Sequence, residues 1–203
     1  MTNSDKPNPK IEKILSGARQ VFFEHGYGAA TTNMVQRAAG VSKSTVYFYF
    51  PSKDALFVAV VHAECRKLIE STRGKGLRAQ TIRETLRHMG ERLFDTILAP
   101  SVLTLLRIVI AETPRFPQLG AALREAGAAP LQQELAQYLS EAGWSSVVCG
   151  VAPLTAARRF IGMVLHDIQM ECLLGIRPLP LPGEARDIVE TAIDDFLRTF
   201  SPS

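Results

Sequence analysis

The feature that most constrains this 203-residue chain is a pair of short helical segments near its N-terminus, separated by a three-residue turn. Thr31-Thr32 can cap the first helix, which runs through Ala39, and Gly40 can end it, because glycine readily adopts the left-handed conformation of a helix C-cap. Ser42 can cap the second helix, over residues 43–49. Two short helices joined by such a turn predict a helix-turn-helix.

Positive charge is concentrated around this motif. Residues 1–54 carry seven basic and four acidic side chains, a net charge of +3, whereas residues 55–203 carry sixteen of each. The excess therefore lies where a polyanion could bind. A surplus of three is also common on ordinary solvated surfaces, so the charge supports the motif without establishing its function.

The rest of the chain has helical periodicity, with apolar residues three and four positions apart and no alternating strand pattern. One helix precedes the motif and ends at Gly26. Further helices are predicted over residues 53–72, 78–98, 101–112, 118–142 with a weak point near Gly127, 153–174, and from the proline-rich loop 177–182 to Phe200. The predicted fold class is all-α, with an N-terminal three-helix helix-turn-helix domain and a C-terminal helical bundle.

Composition argues against several other classes of protein. About 46% of the residues are apolar, which suffices for a buried core, but no stretch reaches the roughly 20 consecutive apolar residues of a membrane span. The first ten residues do not resemble a secretion signal, so a cytoplasmic location is expected. The spacing of Cys65, Cys149 and Cys172 fits neither a zinc site nor a disulfide framework, and no metal or cofactor is expected.

Catalysis is not expected either. The histidines His25, His62, His88 and His166 lie far apart in sequence, and no nucleophile elbow or phosphate loop is present. Residues that are far apart in sequence can still meet in the folded protein, so an enzyme with a catalytic cluster is a first alternative. A helical protein-interaction module is a second alternative, and steep salt dependence of binding to palindromic DNA would distinguish a regulator from both.

Roughly residues 11–57 resemble the DNA-binding domain of the TetR family of bacterial regulators. The departure from the family pattern is Gln36, where the family usually has a small residue; its side chain either alters helix packing or points to solvent. The motifs that carry the resemblance are Gly26-Tyr27, Ala39-Gly40-Val41-Ser42, Tyr47-Phe48-Tyr49-Phe50 and Lys53-Asp54-Ala55-Leu56. Residues 106–112, 115–119 and 160–162 are similar to the AefR-like C-terminal domains of some TetR regulators.

The resemblance implies three parts: a disordered arm over residues 1–9, a DNA-binding domain over 10–54, and an effector-binding and dimerisation domain over 55–203. It implies a homodimeric repressor that a small effector releases from a palindromic double-stranded DNA operator. The abundance of Leu, Phe, Met and Ala indicates that this effector is largely apolar, of an aromatic or lipid-like class. An activator without a small-molecule effector is the alternative within this class.

The family roles imply base contacts from the start of the second short helix and phosphate contacts from its flanks. Ser42 also fits a purely capping role, and Val46, Phe50 and Leu56 are predicted to be core. The predicted DNA-binding residues are Thr32, Asn33, Ser42, Lys43, Ser44, Thr45, Tyr47, Tyr49 and Lys53.

The last two helices are the predicted dimer interface, although their apolar stripe could instead be entirely intramolecular core. The predicted interface residues are Ala156, Phe160, Met163, Ile188, Ala192, Ile193, Phe196 and Phe200. Candidates for the effector site are polar residues on otherwise apolar helices and the face that His166, Met170 and Leu173 share at spacings of four and three. These are Arg87, His88, Arg107, Glu112, His166, Gln169, Met170 and Leu173.

Overall fold

The computed structural model describes residues 8–72, 81–144 and 150–200, and within these ranges the protein is all-helical, without strands. Most of the predicted arm over residues 1–9 lies outside the described residues, as do Cys149 and residues 78–80. The helices are α1 Pro9–Ala29, α2 Thr32–Ala39, α3 Lys43–Tyr49, α4 Lys53–Thr72, α5 Ile82–Ile97, α6 Pro100–Glu112, α7 Pro117–Leu123, α8 Ala129–Glu141, α9 Pro153–Leu174 and α10 Pro182–Phe200.

The predicted helix-turn-helix is confirmed, and local capping explains its boundaries. The Thr31 hydroxyl accepts a hydrogen bond from the Met34 amide at 3.2 Å. Gly40 ends α2 in the left-handed region, with φ of 62°. The Ser42 hydroxyl accepts from the Thr45 amide at 3.1 Å. Each cap satisfies backbone groups that a helix end would otherwise leave without partners.

Helix α1 is longer than predicted. The break expected at Gly26 is present, since that residue has φ of 71° and ψ of 170°, but helical residues continue to Ala29. Near its middle, Gly17 packs directly on the end of α2: a Cβ atom at Gly17 would lie 2.7 Å from the Ala39 amide nitrogen. Only a hydrogen at this position permits so close an approach of the two helices.

The chain divides into two compact units. The first comprises Met1–Lys67 and Arg107–Gly127. Its core contains Phe22, Tyr27 and Phe57, with the Phe22 and Phe57 ring centroids 4.8 Å apart. Val46 and Leu56 are fully buried, as predicted, whereas Phe50 and Gln36 are only partly buried.

The second compact unit comprises Leu68–Leu106 and Ala128–Ser203. Its aromatic core joins Phe160 and Trp144 to Phe196, with both centroid distances 5.4 Å. The Trp144 indole N–H donates to the Val151 carbonyl at 2.8 Å, so the ring is buried without leaving its polar atom unsatisfied.

One predicted helix boundary is wrong. Helix α5 begins at Ile82 rather than near residue 78, because Thr81 and Glu84 form a capping box that fixes the start. The helix predicted over 118–142 is present as α7, a π-helical segment at Arg124–Ala128 and α8, and the backbone keeps helical φ and ψ at Arg124 and Ala128. The interruption falls at the weak point expected near Gly127, and Pro130 has no N–H with which to continue the regular bonding pattern.

No single helix among the described residues has the length and apolarity of a membrane span. Helices α5 and α6 reach the length and apolarity of a span only when they are taken together, and the chain bends by 68° between them.

Candidate nucleic-acid interface

Helix α3 presents a polar and aromatic surface around one buried anchor. Val46 is fully buried. At 100° per residue, Ser44 and Phe48 project from the side of the helix opposite Val46, and Lys43 and Tyr47 lie together on one flank. All four of these side chains are exposed. The helix is therefore anchored through one residue and keeps its outer side available for contact with a partner.

The hydroxyl groups at the start of α3 are bonded to one another. The Ser42 hydroxyl, which caps the helix, lies 2.9 Å from the Ser44 hydroxyl and 2.7 Å from the Thr45 hydroxyl. This arrangement agrees with the capping role for Ser42. Ser44 remains exposed at the surface.

Tyr47 connects the two helices of the motif. Its hydroxyl lies 3.2 Å from the Thr32 hydroxyl at the start of α2. The Lys43 ammonium lies 5.9 Å from the centroid of the Tyr47 ring, within the range of a cation–π interaction. These contacts bring together three of the predicted DNA-binding residues, and Asn33, a fourth, is exposed next to Thr32.

Tyr49, on the other flank of α3, contacts the first turn of α1. The Asn8 side-chain amide donates to the Tyr49 hydroxyl at 3.3 Å. Asn8 also caps α1, accepting from the Lys10 amide at 3.0 Å. The Tyr49 hydroxyl therefore lies close to the basic start of α1, where a phosphate contact would be favourable.

Lys53, one of the predicted DNA-binding residues, is bonded within the protein. Its ammonium donates to the carbonyls of Tyr27 at 2.9 Å, Ala30 at 3.2 Å and Gly28 at 3.5 Å. These acceptors occupy all three ammonium protons. Lys53 therefore neutralises the carbonyl end of α1 and fixes the start of α4 against it. The sequence could not reveal this, because the acceptors are backbone atoms 23 or more positions away.

The neighbouring Tyr27 and Asp54 form a second link between α1 and α4. The Tyr27 hydroxyl donates to the Asp54 carboxylate. Burial and this carboxylate raise the pKa of Tyr27 above its usual value. The Tyr27 ring also packs edge-to-face against the Phe116 ring, with ring centroids 5.1 Å apart.

Sequence reasoning did not include Phe48 among the predicted contacts. Its side chain is 80% exposed, compared with 43% for Tyr47. The signal was present in the sequence: Phe48 follows the core residue Val46 by two positions, which places it about 200° around the helix.

The predicted effector residues are divided between the two compact units. Arg87 forms an ion pair with Glu190, which lowers the pKa of Glu190. Residues Arg107 and Glu112 belong to the first compact unit, and the remaining six belong to the second. His166 and Met170 are exposed, and His88, Gln169 and Leu173 are partly buried.

A cleft of about 520 Å³ in the second unit contains none of these predicted residues. Its apolar surface includes Phe94, Leu98 and Leu179, and the carboxylates of Glu91 and Asp95 also line it. This size falls within the usual range for small-molecule sites. Among the described residues, no group of three or more histidine, cysteine and carboxylate side chains is placed to hold a metal ion.

The predicted dimer residues fall into two groups. Five of them are buried within the second unit, as expected if the apolar stripe belongs to the intramolecular core. These are Ala156, Phe160, Ala192, Ile193 and Phe196. Met163 is 44% exposed, and Ile188 and Phe200 are partly buried. Met163, Ile188 and Ala192 line one groove of about 410 Å³ between α9 and α10.

Comparison with known proteins identifies two matching family models. The model described as "Bacterial regulatory proteins, tetR family" matches residues 14–60. The model described as "AefR-like transcriptional repressor, C-terminal domain" matches residues 84–202. Together they cover both the helix-turn-helix and most of the chain that follows.

A similar curated protein is the HTH-type transcriptional repressor AcnR of Corynebacterium efficiens. It is 34% identical over 77 residues, which is 38% of this chain and 41% of that repressor. The match thus spans about two fifths of the relative's length.

Solved structures resemble the chain over nearly its full length. The flavonoid-responsive regulator FrrA is 30% identical, with a TM-score of 0.81 over 95% of this chain and 97% of FrrA. A TetR-family regulator from Mesorhizobium loti MAFF303099 has a TM-score of 0.83 over 100% of both chains. At 23% identity, the second likeness concerns the fold alone.

Proposed function

Since this chain belongs to the TetR family of bacterial transcriptional regulators and has an AefR-like C-terminal domain, we propose that it is a repressor that binds a palindromic operator as a homodimer. The observation that carries the proposal is the exposed outer side of α3, held in a capped helix-turn-helix by the buried Val46. A bacterial operator lies on chromosomal DNA, so the proposed place of action is the cytoplasm.

The proposed division of labour along the chain follows the family. Residues 10–54 bind DNA, and residues 55–203 bind an effector and dimerise. Within the first region, Lys43 and Ser44 contact base edges, since a lysine donates to guanine O6 and N7 and a serine suits several bases. The phosphate contacts come from Thr32, Asn33, Thr45 and Tyr49, and Lys53 acts by holding α4 and α1 in place.

Dimerisation follows from the geometry of operator recognition. One short recognition helix reaches few base pairs, so specific binding requires two copies on half-sites about 34–36 Å apart or a multiple of that distance. The groove lined by Met163, Ile188 and Ala192 supports an isologous interface of α9 and α10 with the partner's equivalent helices. The buried residues of the predicted dimer set, such as Phe160 and Phe196, then pack beneath α9 and α10 and stabilise the interface helices.

The proposed effector is a small, largely apolar molecule bound in the second unit. Two observations support this class: the cleft in which Phe94, Leu98 and Leu179 lie beside the charged Glu91, Asp95 and Arg186, and the name of the 30% identical regulator FrrA, which is described as flavonoid-responsive. An aromatic compound is therefore the first class to test. For regulation, the effector must bind more tightly to the conformation with low operator affinity.

The proposed switch tilts α4 and so changes the separation of the two recognition helices in the dimer. Contacts within the first unit support this route. Phe116, which follows the end of α6, packs on Tyr27, and Tyr27 is bonded to Asp54 at the start of α4. A displacement of Phe116 would therefore move Tyr27 and, through Asp54, the start of α4, which follows α3 in the chain.

The experiment is selection of bound fragments from the source genome, followed by titration of one fragment at several salt concentrations. We expect a steep linear fall of log affinity with log salt, because phosphate neutralisation releases counterions. A panel of flavonoids and fatty acids is then added to the complex. Salt-independent or absent binding would refute the DNA-binding proposal, and undiminished binding with all effectors would refute only the proposed release by these classes.

A further inference from the structure

Phe48 is the most exposed side chain among the aromatic residues of the recognition helix, with 80% of its surface open to solvent. Its ring is not free to move in every direction, because it makes an edge-to-face contact with the Tyr49 ring at 5.0 Å between centroids. The Tyr49 hydroxyl in turn accepts a hydrogen bond from Asn8. The exposed Phe48 ring therefore packs on a residue that is itself held in place. A single exposed apolar side chain is ordinary on a protein surface, but this one lies on the outer side of α3, which the proposed operator covers.

The position of Phe48 on α3 determines what that partner can be. Ser44 precedes it by four residues, so the two side chains are adjacent on the side opposite the buried Val46. This is the side that a recognition helix turns towards the major groove. A small hydroxyl and a large apolar ring therefore share the outermost part of the helix.

Only one natural group in the major groove of unmodified DNA is apolar. The C5-methyl of thymine is accessible there, whereas the other base edges present hydrogen-bond donors and acceptors. Tyr47 is the alternative ring, but its hydroxyl lies 3.2 Å from that of Thr32, and it is on the flank of α3. The less exposed Tyr47 ring is therefore oriented by α2, while Phe48 projects outward.

We propose that Phe48 reads the operator by packing its ring on the C5-methyl of one thymine in each half-site. This inference rests on the proposed operator binding. It assigns the apolar part of sequence recognition to Phe48 and leaves Tyr47 to position α3 against α2. The operator half-site is accordingly expected to contain a thymine that cannot be replaced by uracil without loss of affinity.

The test uses the full-length protein and a genomic fragment that it has been shown to bind. Each thymine is replaced singly by uracil, which removes only the methyl group, and affinity is measured by fluorescence anisotropy at fixed salt. For the unaltered protein, uracil at one position per half-site should weaken binding about 4-fold, as expected for one buried methyl-sized group. 5-Bromouracil at that position, with a substituent of similar size, should restore the affinity.

Phe48→Ala should bind the thymine and uracil fragments with equal affinity, and Phe48→Leu should keep part of the difference. Leu181→Ala, which truncates another exposed apolar side chain (73% exposed) in the second unit, should keep all of it. Circular dichroism confirms that each variant is folded. If Phe48→Ala is unfolded, the Phe48→Leu result decides.

Three outcomes are informative in different ways. A fragment bound with steep salt dependence but indifferent to every uracil replacement would overturn the role of Phe48 and leave operator binding intact. Undiminished discrimination by folded Phe48→Ala or Phe48→Leu would assign the methyl contact to another residue and also overturn the proposal. Failure to select any DNA would overturn both this inference and the proposed function.

Discussion

The Lys53 ammonium contacts Tyr27 in two ways: it donates to the Tyr27 carbonyl at 2.9 Å and lies 4.3 Å from the centroid of the Tyr27 ring. A single side chain at the start of α4 therefore holds both the backbone and the ring at the end of α1. Lys53→Ala should lower the free energy of unfolding by about 1–3 kcal/mol, because charge-assisted bonds are lost and carbonyls lose their partner. It should weaken binding to all DNA sequences alike.

Urea unfolding and anisotropy titrations on specific and unrelated DNA fragments check this prediction. Arg198→Ala is the matched control, since Arg198 is exposed and lies in α10, outside the helix-turn-helix. If Lys53→Ala lowers affinity with no change in stability, Lys53 contacts phosphate directly, and the structural role proposed for it is wrong.

Replacement of Gly17 should be destabilising despite its position inside a helix. Alanine ordinarily stabilises a helix interior by about 1 kcal/mol relative to glycine. At Gly17 the new Cβ atom would lie 2.7 Å from the Ala39 amide nitrogen, and such overpacking costs about 1–3 kcal/mol. Thermal unfolding should show a net loss for Gly17→Ala and none for Gly183→Ala, where nothing lies within 4 Å of the added atom.

Lys43→Ala tests the proposed base contact. If Lys43 donates to guanine, its loss should relax preference at one base pair per half-site by about 1–3 kcal/mol if the contact is bidentate, and affinity for other sequences should change less. Binding to all single-base variants of a selected fragment measures this. A uniform loss across the variants would instead make Lys43 a phosphate contact.

Met163→Asp tests the proposed dimer surface. The new carboxylate would lie in a groove that Glu184, Asp187 and Asp195 also line, so desolvation and like-charge repulsion should raise the dimer dissociation constant at least tenfold. Analytical ultracentrifugation over a concentration series gives the constant. Ile110→Asp, another exposed apolar position outside α9 and α10, should leave the constant unchanged.

The ion pairs of Glu190 predict a pH dependence of stability. Hydrogen bonding to Arg87 lowers the pKa of Glu190 below its reference value of 4.5. A group with a lowered folded-state pKa contributes stability that is fully present above the unfolded value and is lost as pH falls through the folded value. At pH 7 Glu190→Gln should therefore unfold more easily, by at most about 1 kcal/mol because the pair is solvent-accessible.

The difference between the unaltered protein and Glu190→Gln should shrink as pH falls below about 4.5. Urea unfolding at pH 7, 5 and 3 measures it. A difference that is constant over this range would show that packing, rather than charge, accounts for the effect of Glu190.

Sequence alone was sufficient where the determining interactions are local. The caps at Thr31 and Ser42 and the left-handed Gly40 act within three or four residues, so the boundaries of α2 and α3 were predicted correctly. The Phe48 exposure also follows from helical periodicity around Val46, although it was not included among the predicted contacts.

Contacts between distant segments could not be predicted in this way. The acceptors of Lys53 are backbone carbonyls of residues 27–30, and backbone atoms leave no signal in side-chain identity. The apolar stripe of α10 is compatible with either an intramolecular core or an interface, and only packing shows that Phe196 is buried. Polarity on an apolar helix likewise does not specify where the helix faces, and only the structure shows that His166 and Met170 are exposed.

The shortness of α3 has a consequence for how variants of this protein will behave. Seven residues form about two turns, too few for an isolated peptide to stay helical in water. Helix α3 is therefore stable only while the rest of the first unit packs against it. Loosening the packing around Val46 would abolish operator binding even when every residue that contacts DNA is unchanged. Loss-of-function substitutions should accordingly scatter through the interior of the first unit as well as along the face presented to the operator.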